Sequence, residues 1–163
     1  MAEGHAEPLE EVMMRKLAFV VGYAVIQVLS SPALFAAAEF GTAEEAKAML
    51  ERAVAAVKEN KAKALDMFNN GEGGFKDRDL YVWCANASDG IITATPYWNR
   101  GKQLREGKHG APFGETIMEN ATEGTIKETA YWWPRPGSDE PFEKKTLYTK
   151  AGDQICGVGY YKE

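Results

Sequence analysis

Between residues 42 and 70 apolar side chains return at helical spacing, at Ala46, Met49, Leu50, Ala53, Val57, Ala64, Leu65 and Phe68. That is the stripe of a helix buried on one side only. Thr42-Ala43-Glu44-Glu45 forms a capping box ahead of it, with a hydroxyl for the exposed amides and a carboxylate three residues on. Asn69-Asn70-Gly71 is the stop signal. The spacing predicts an amphipathic helix of about 27 residues, ~40 Å long at 1.5 Å per residue, with one polar interruption around Asn60 and Lys61. A small domain does not cover such a length, so the N-terminal part is expected to project or to pack on a partner.

After Gly71-Glu72-Gly73-Gly74 the apolar period changes from helical to two. Strands are predicted over 80–85 and 91–95, joined by a turn at 86–90 as one hairpin. A loop from Pro96 to Pro112 carries Arg100, Lys102, Arg105, Lys108 and His109. A short helix is expected near 113–122, closed by Gly124, and three strands follow near 126–133, 142–150 and 154–161. One long helix, a hairpin, a helical crossover and three consecutive strands make an α+β domain with a five-stranded antiparallel sheet.

Composition adds limits rather than detail. The chain has 163 residues, 45% hydrophobic and 26% charged, which suits one globular domain with a short appendage and excludes disorder by composition. The net charge of −5 becomes −3 without the first 38 residues, 17 basic against 20 acidic, so the surface has no general attraction for nucleic acid. The appendage, 1–38, reads as an export leader: Arg15-Lys16, an apolar run over 17–29, then Ala36-Ala37-Ala38 for cleavage. The acidic first twelve residues sit oddly ahead of a leader, which places the expected start of translation at Met13 or Met14. Cleavage gives a periplasmic or secreted protein over 39–163; an uncleaved leader would instead anchor it to the inner membrane, facing the periplasm.

The densest chemistry lies in Tyr131-Trp132-Trp133-Pro134-Arg135-Pro136-Gly137 and Lys145-Thr146-Leu147-Tyr148. Aromatic faces beside an Arg fork and a Lys ammonium suit a pocket for a small carboxylate. The competing reading makes the rings sheet core and the cations a solvated edge. Strand alternation places Tyr131 and Trp133 on one face and Trp132 on the other. In an oxidising compartment the two cysteines, Cys84 and Cys156, form a disulfide or else remain two buried thiols on neighbouring strands. A bond closing that loop would add about 4 kcal/mol in the chain-entropy model. His109 is the only histidine of the folded region and nothing places it by either sulfur, so no Cys/His enzyme is expected. Asp77, Asp79, Asp89, Asp139 and Asp153 lie near turns without the spacing of a calcium loop, and zinc-ligand spacing is lacking too. No catalysis, metal or cofactor is therefore expected.

The order of elements, with Asp89-Gly90, Gly101-Lys102-Gln103-Leu104, Tyr131 to Gly137, Lys145 to Tyr148 and Gly157-Val158-Gly159-Tyr160, resembles a single Cache domain, the extracytoplasmic sensor of bacterial chemoreceptors and histidine kinases. The resemblance covers about 42–162. It implies a PAS-like sheet in the order 2-1-5-4-3 with the long helix behind it, which sets the strands of Cys84 and Cys156 side by side and favours the disulfide. It also implies a pocket for a small ligand, often a short organic acid. Carried over by motif, the implied ligand residues are Tyr131, Trp133, Arg135, Lys145 and Tyr148, with Lys145 neutralising a carboxylate. Tyr81, Trp83, Tyr97 and Trp98 are further candidates from the hairpin and loop. Thr95-Pro96 stands where the family often carries His-Pro, which implies an altered specificity. The sequence ends at Glu163 without a signalling segment, so the expected role is an exported binding protein that reports to a membrane receptor, a histidine kinase or another partner. A homodimer through the 42–69 helix is one way to do so, and a packed interaction module dimerising through that helix is the alternative function.

Overall fold

In the computed structural model, which describes residues 39–97, 99–104 and 113–162, the long helix is α1 (Ala43–Asn70). Both halves of its capping box form: Thr42 Oγ1 accepts from the Glu45 N–H at 3.2 Å, and Glu45 Oε2 accepts from the Thr42 N–H at 2.8 Å. Gly71, at φ 68°, ends it in the left-handed conformation that favours glycine. The polar interruption is a kink. Asn60 leaves helical geometry at φ −155° and ψ 93°, and its Oδ1 accepts from the Lys63 N–H at 3.1 Å, as a cap does where a new helix begins.

The strands are β1 (Lys76–Asp77), β2 (Leu80–Asn86), β3 (Ile92–Ala94), β4 (Lys127–Pro134), β5 (Pro141–Ala151) and β6 (Gln154–Tyr161), with α2 (Phe113–Asn120) between β3 and β4. All pair antiparallel, in the order β1-β2-β6-β5-β4, with β3 also on β2. The five expected strands therefore have their expected neighbours. The sheet gains a sixth, β1, whose two residues are too short to show a period of two.

The expectation of a projecting helix is corrected. Ala46, Leu50 and Ala53 are fully buried against the domain's own sheet. Asp79 accepts from the Gly41 N–H at 2.7 Å, and Arg78 donates to the Phe40 carbonyl at 2.8 Å and pairs with Glu45, which fastens the helix start to the β1–β2 turn. Two features make the cover possible. The kink lets each half follow the sheet, and the 11 residues of β5 extend ~36 Å, nearly the length of the helix.

Alternation then gives the sheet two faces. Leu80, Val82 and Cys84 of β2, Leu147 of β5 and Cys156 and Val158 of β6 pack on α1. Trp83, Ala85, Tyr148 and Ile155 point the other way, against Ile117 of α2 and Leu104. Cys84 and Cys156 lie opposite each other in register on the α1 face, with Cα atoms 4.1 Å apart, and form a disulfide. Among the described residues no helix is long and apolar enough to cross a membrane.

Candidate functional site

The face away from α1 holds the polar chemistry. β4 and β5 pair with Tyr131 opposite Lys144 and Trp133 opposite Phe142, so Tyr131, Trp133, Lys144, Thr146 and Tyr148 share this face with Tyr81 and Trp83 of β2. Two glycines of β6 make room for it. A Cβ at Gly157 would lie 2.5 Å from the Trp83 ring, and one at Gly159 would lie 2.1 Å from Lys144 Cε. The Gly157-Val158-Gly159 motif is thus a cradle with a period of two.

Next to this layer is a cleft of about 380 Å³, lined by Tyr81, Tyr97, Asn99, Trp133, Arg135 and the turn from Pro136 to Asp139. That size suits a small metabolite. Its walls are rigid aromatics: Tyr81 meets Tyr97 edge-on with ring centroids 4.6 Å apart, Phe113 stacks on Tyr131 at 4.0 Å, and Trp133 packs edge-on against both at 6.1 Å.

A buried cation, Lys144, a half-buried one, Arg135, and a buried carboxylate, Asp79, set the field. Lys144, 2% exposed, donates to the Tyr81 hydroxyl oxygen at 3.0 Å, with its ammonium 4.4 Å and 4.8 Å from the Tyr81 and Tyr161 ring centroids. Burial lowers its pKa below the ordinary lysine value, while Tyr131 and Asp79 act in the opposite direction. The Arg135 guanidinium lies over Phe40 at 3.8 Å, Phe142 at 4.9 Å and Tyr161 at 5.1 Å. Arg135 Nε is buried and has no acceptor among the described residues. Asp79 uses one oxygen for Gly41 and leaves Oδ2 without a donor there. Burial raises the pKa values of Tyr81, Tyr131 and Tyr161, so all three stay neutral phenols near pH 7.

The residues expected at the site separate into three groups. Tyr81, Trp133 and Arg135 line the cleft, as does Tyr97. Tyr131, Trp83 and Tyr148 are buried around it: Tyr131 is stacked on Phe113 with its hydroxyl on Thr146 at 2.9 Å, and the other two pack with Leu104, Ile117 and Ile155. Lys145 is a correction, because it lies on the opposite face and donates to Glu128 at 2.9 Å, beside a Tyr160 hydroxyl that also donates to Glu128 at 2.6 Å. Lys145 and Tyr148 are three apart, an odd spacing, and side chains on one strand cannot then share a face. The cation on the cleft face is Lys144. Counting by twos from Tyr148 through Thr146 reaches it, so the signal was present in the sequence. Trp98, His109 and the leader lie outside the described residues.

No family model and no curated protein matches the sequence. Solved structures do match. A methyl-accepting chemotaxis protein from Vibrio parahaemolyticus aligns with a TM-score of 0.57 at 18% identity, over 93% of this chain and 96% of that one. A Cache chemosensory domain, solved to explain its carboxylic acid recognition, aligns with a TM-score of 0.51 at 16% identity, over 96% of this chain and 100% of that one. At these identities the likeness is one of fold. The chain has the fold of a single Cache domain.

Proposed function

We propose that this protein is a non-catalytic sensory domain that binds a short organic acid in the cleft beside Arg135. The observation that carries the reading is an unsatisfied guanidinium donor on a residue that lines a hollow of metabolite size. Arg135 is part of the wall, and its Nε is buried without an acceptor among the described residues. A buried donor without a partner is costly, and a carboxylate with two acceptor oxygens relieves that cost where water or an apolar ligand does so less well. Trp133 and Tyr97 give the alkyl end of such an acid its apolar wall.

The carboxylic acid recognition described for the aligned Cache chemosensory domain supports the same ligand class here, on the strength of fold alone. An exported domain of this kind reports its occupancy to a membrane chemoreceptor, a histidine kinase or another partner, from the periplasm or outside the cell. Thermal-shift screening of C2 to C4 carboxylates tests the proposal. At a hundred times its dissociation constant a ligand adds about 2.7 kcal/mol of stability, well within reach of the assay. The expected result is at least one stabilising acid whose effect is lost in Arg135→Gln and kept in Lys145→Ala. A flat response to every acid overturns it.

A further inference from the structure

Lys144 does not line the cleft; it lies behind Tyr81, which does. An ammonium has donors only, so at the 3.0 Å contact the phenol oxygen must accept. A phenol whose oxygen accepts from a fixed donor still has its own proton to give. Among the described residues that proton has no acceptor: the hydrogen bond of the Tyr81 hydroxyl is the one from Lys144. The neighbouring phenols do not take it. Tyr131 is engaged with Thr146, and Tyr161 donates to the Pro134 carbonyl at 2.6 Å. The lysine stem reaches Tyr81 through the space that a Cβ at position 159 would fill.

We infer that Lys144 is a positioning residue which makes Tyr81 an obligatory hydrogen-bond donor to the cleft, and so selects a carboxylate over the carboxamide of the same shape. This rests on the ligand reading above and deepens it. With Arg135 on one side and a donating Tyr81 on the other, both polar atoms of the ligand must accept. A carboxylate has two such oxygens, whereas a carboxamide sets its NH₂ against a donor and leaves that donor unsatisfied. Without the lysine, the Tyr81 oxygen is free to accept from an amide NH₂, and the discrimination falls.

The test uses propionate and propionamide as probes, titrated calorimetrically into the wild type, Lys144→Met, Tyr81→Phe and the double variant. The wild type should prefer propionate, and Lys144→Met should reduce the ratio of the two affinities by roughly tenfold. In the Tyr81→Phe background, Lys144→Met should leave the ratio unchanged. A lysine with only a structural role would weaken both probes together at constant ratio, and that outcome overturns the proposal. A ligand-free arm uses the infrared C–O stretch of Tyr81, taken from the wild type minus Tyr81→Phe difference spectrum. Accepting a hydrogen bond lowers that frequency. The band should show an accepting oxygen in the wild type and shift upward in Lys144→Met; a wild-type band without the accepting signature overturns the assignment even if Lys144→Met does not fold. A wild type that binds neither probe removes the carboxylate reading, while the infrared arm still decides whether Lys144 orients Tyr81.

Discussion

The two faces of one sheet are built on opposite terms. Toward α1 the contacts are Leu50, Leu80, Val82, Val158 and the Cys84–Cys156 bond, which pack without a polar group in need of a partner. Toward the cleft the same strands present Tyr81 and Tyr131, Lys144, whose ammonium is held out of water, and the half-buried Arg135. Burying polar and charged groups costs stability unless they are fully paired, and here the pairing is incomplete. The difference teaches that the α1 face supports the fold without unpaired polar groups, while the cleft face tolerates a buried donor, Arg135 Nε, that has no acceptor among the described residues. Substitutions on one face should therefore change stability and leave anion recognition alone, and the reverse should hold on the other.

The largest expected effect comes from the disulfide. Replacing Cys84 and Cys156 with Ala should lower unfolding stability by about 4 kcal/mol in the chain-entropy model, read from denaturant melts of the oxidised and mutant proteins. Leu50→Ala, fully buried under α1, should cost about 3 kcal/mol by the same measurement. Neither change should alter the preference among acids, and a changed preference would show that the faces are coupled.

On the cleft face, Arg135→Gln should weaken carboxylate binding tenfold or more, as expected for a lost charged hydrogen bond, with a much smaller shift in the melt. The titration of Lys144 gives a subtler contrast. Its folded pKa lies below the 10.5 of the unfolded chain, so between those two values the unfolded state holds more protons and stability rises with pH. Tyr81, Tyr131, Tyr161 and Asp79 face the ammonium and are common to the wild type and Lys144→Met. The stability difference between these two proteins should therefore move in favour of the wild type as pH climbs toward 10.5. A difference independent of pH would mean that the lysine is not desolvated. The smallest effect is expected at Lys145→Ala, which removes a surface pair with Glu128 and should change neither the melt nor ligand binding.

Much of this was legible in the residues. The capping box at Thr42, the stop at Gly71 and the interruption at Asn60 are local signals, and local signals determine local structure. The neighbour relations of the five expected strands followed from the resemblance. The cover given to α1 was not legible, because it depends on the length of β5 and on a kink whose effect appears only in three dimensions. Tyr81, Trp133 and Arg135, expected from residue type, line the cleft. The motif points to Lys145, but the parity that a strand imposes places Lys144, not Lys145, on the face of Tyr148. Asp79 and Tyr161 gave no signal of their own, since a turn aspartate and a terminal strand tyrosine look ordinary until the fold brings them beside Lys144 and Arg135.

The most direct measurement is a calorimetric titration of the wild type with C2 to C4 carboxylates, beside Arg135→Gln and Lys145→Ala. Saturable binding that Arg135→Gln abolishes and Lys145→Ala preserves is the predicted result. Equal binding in all three proteins, or heats no different from dilution in the wild type, would contradict an anion site on the face away from α1.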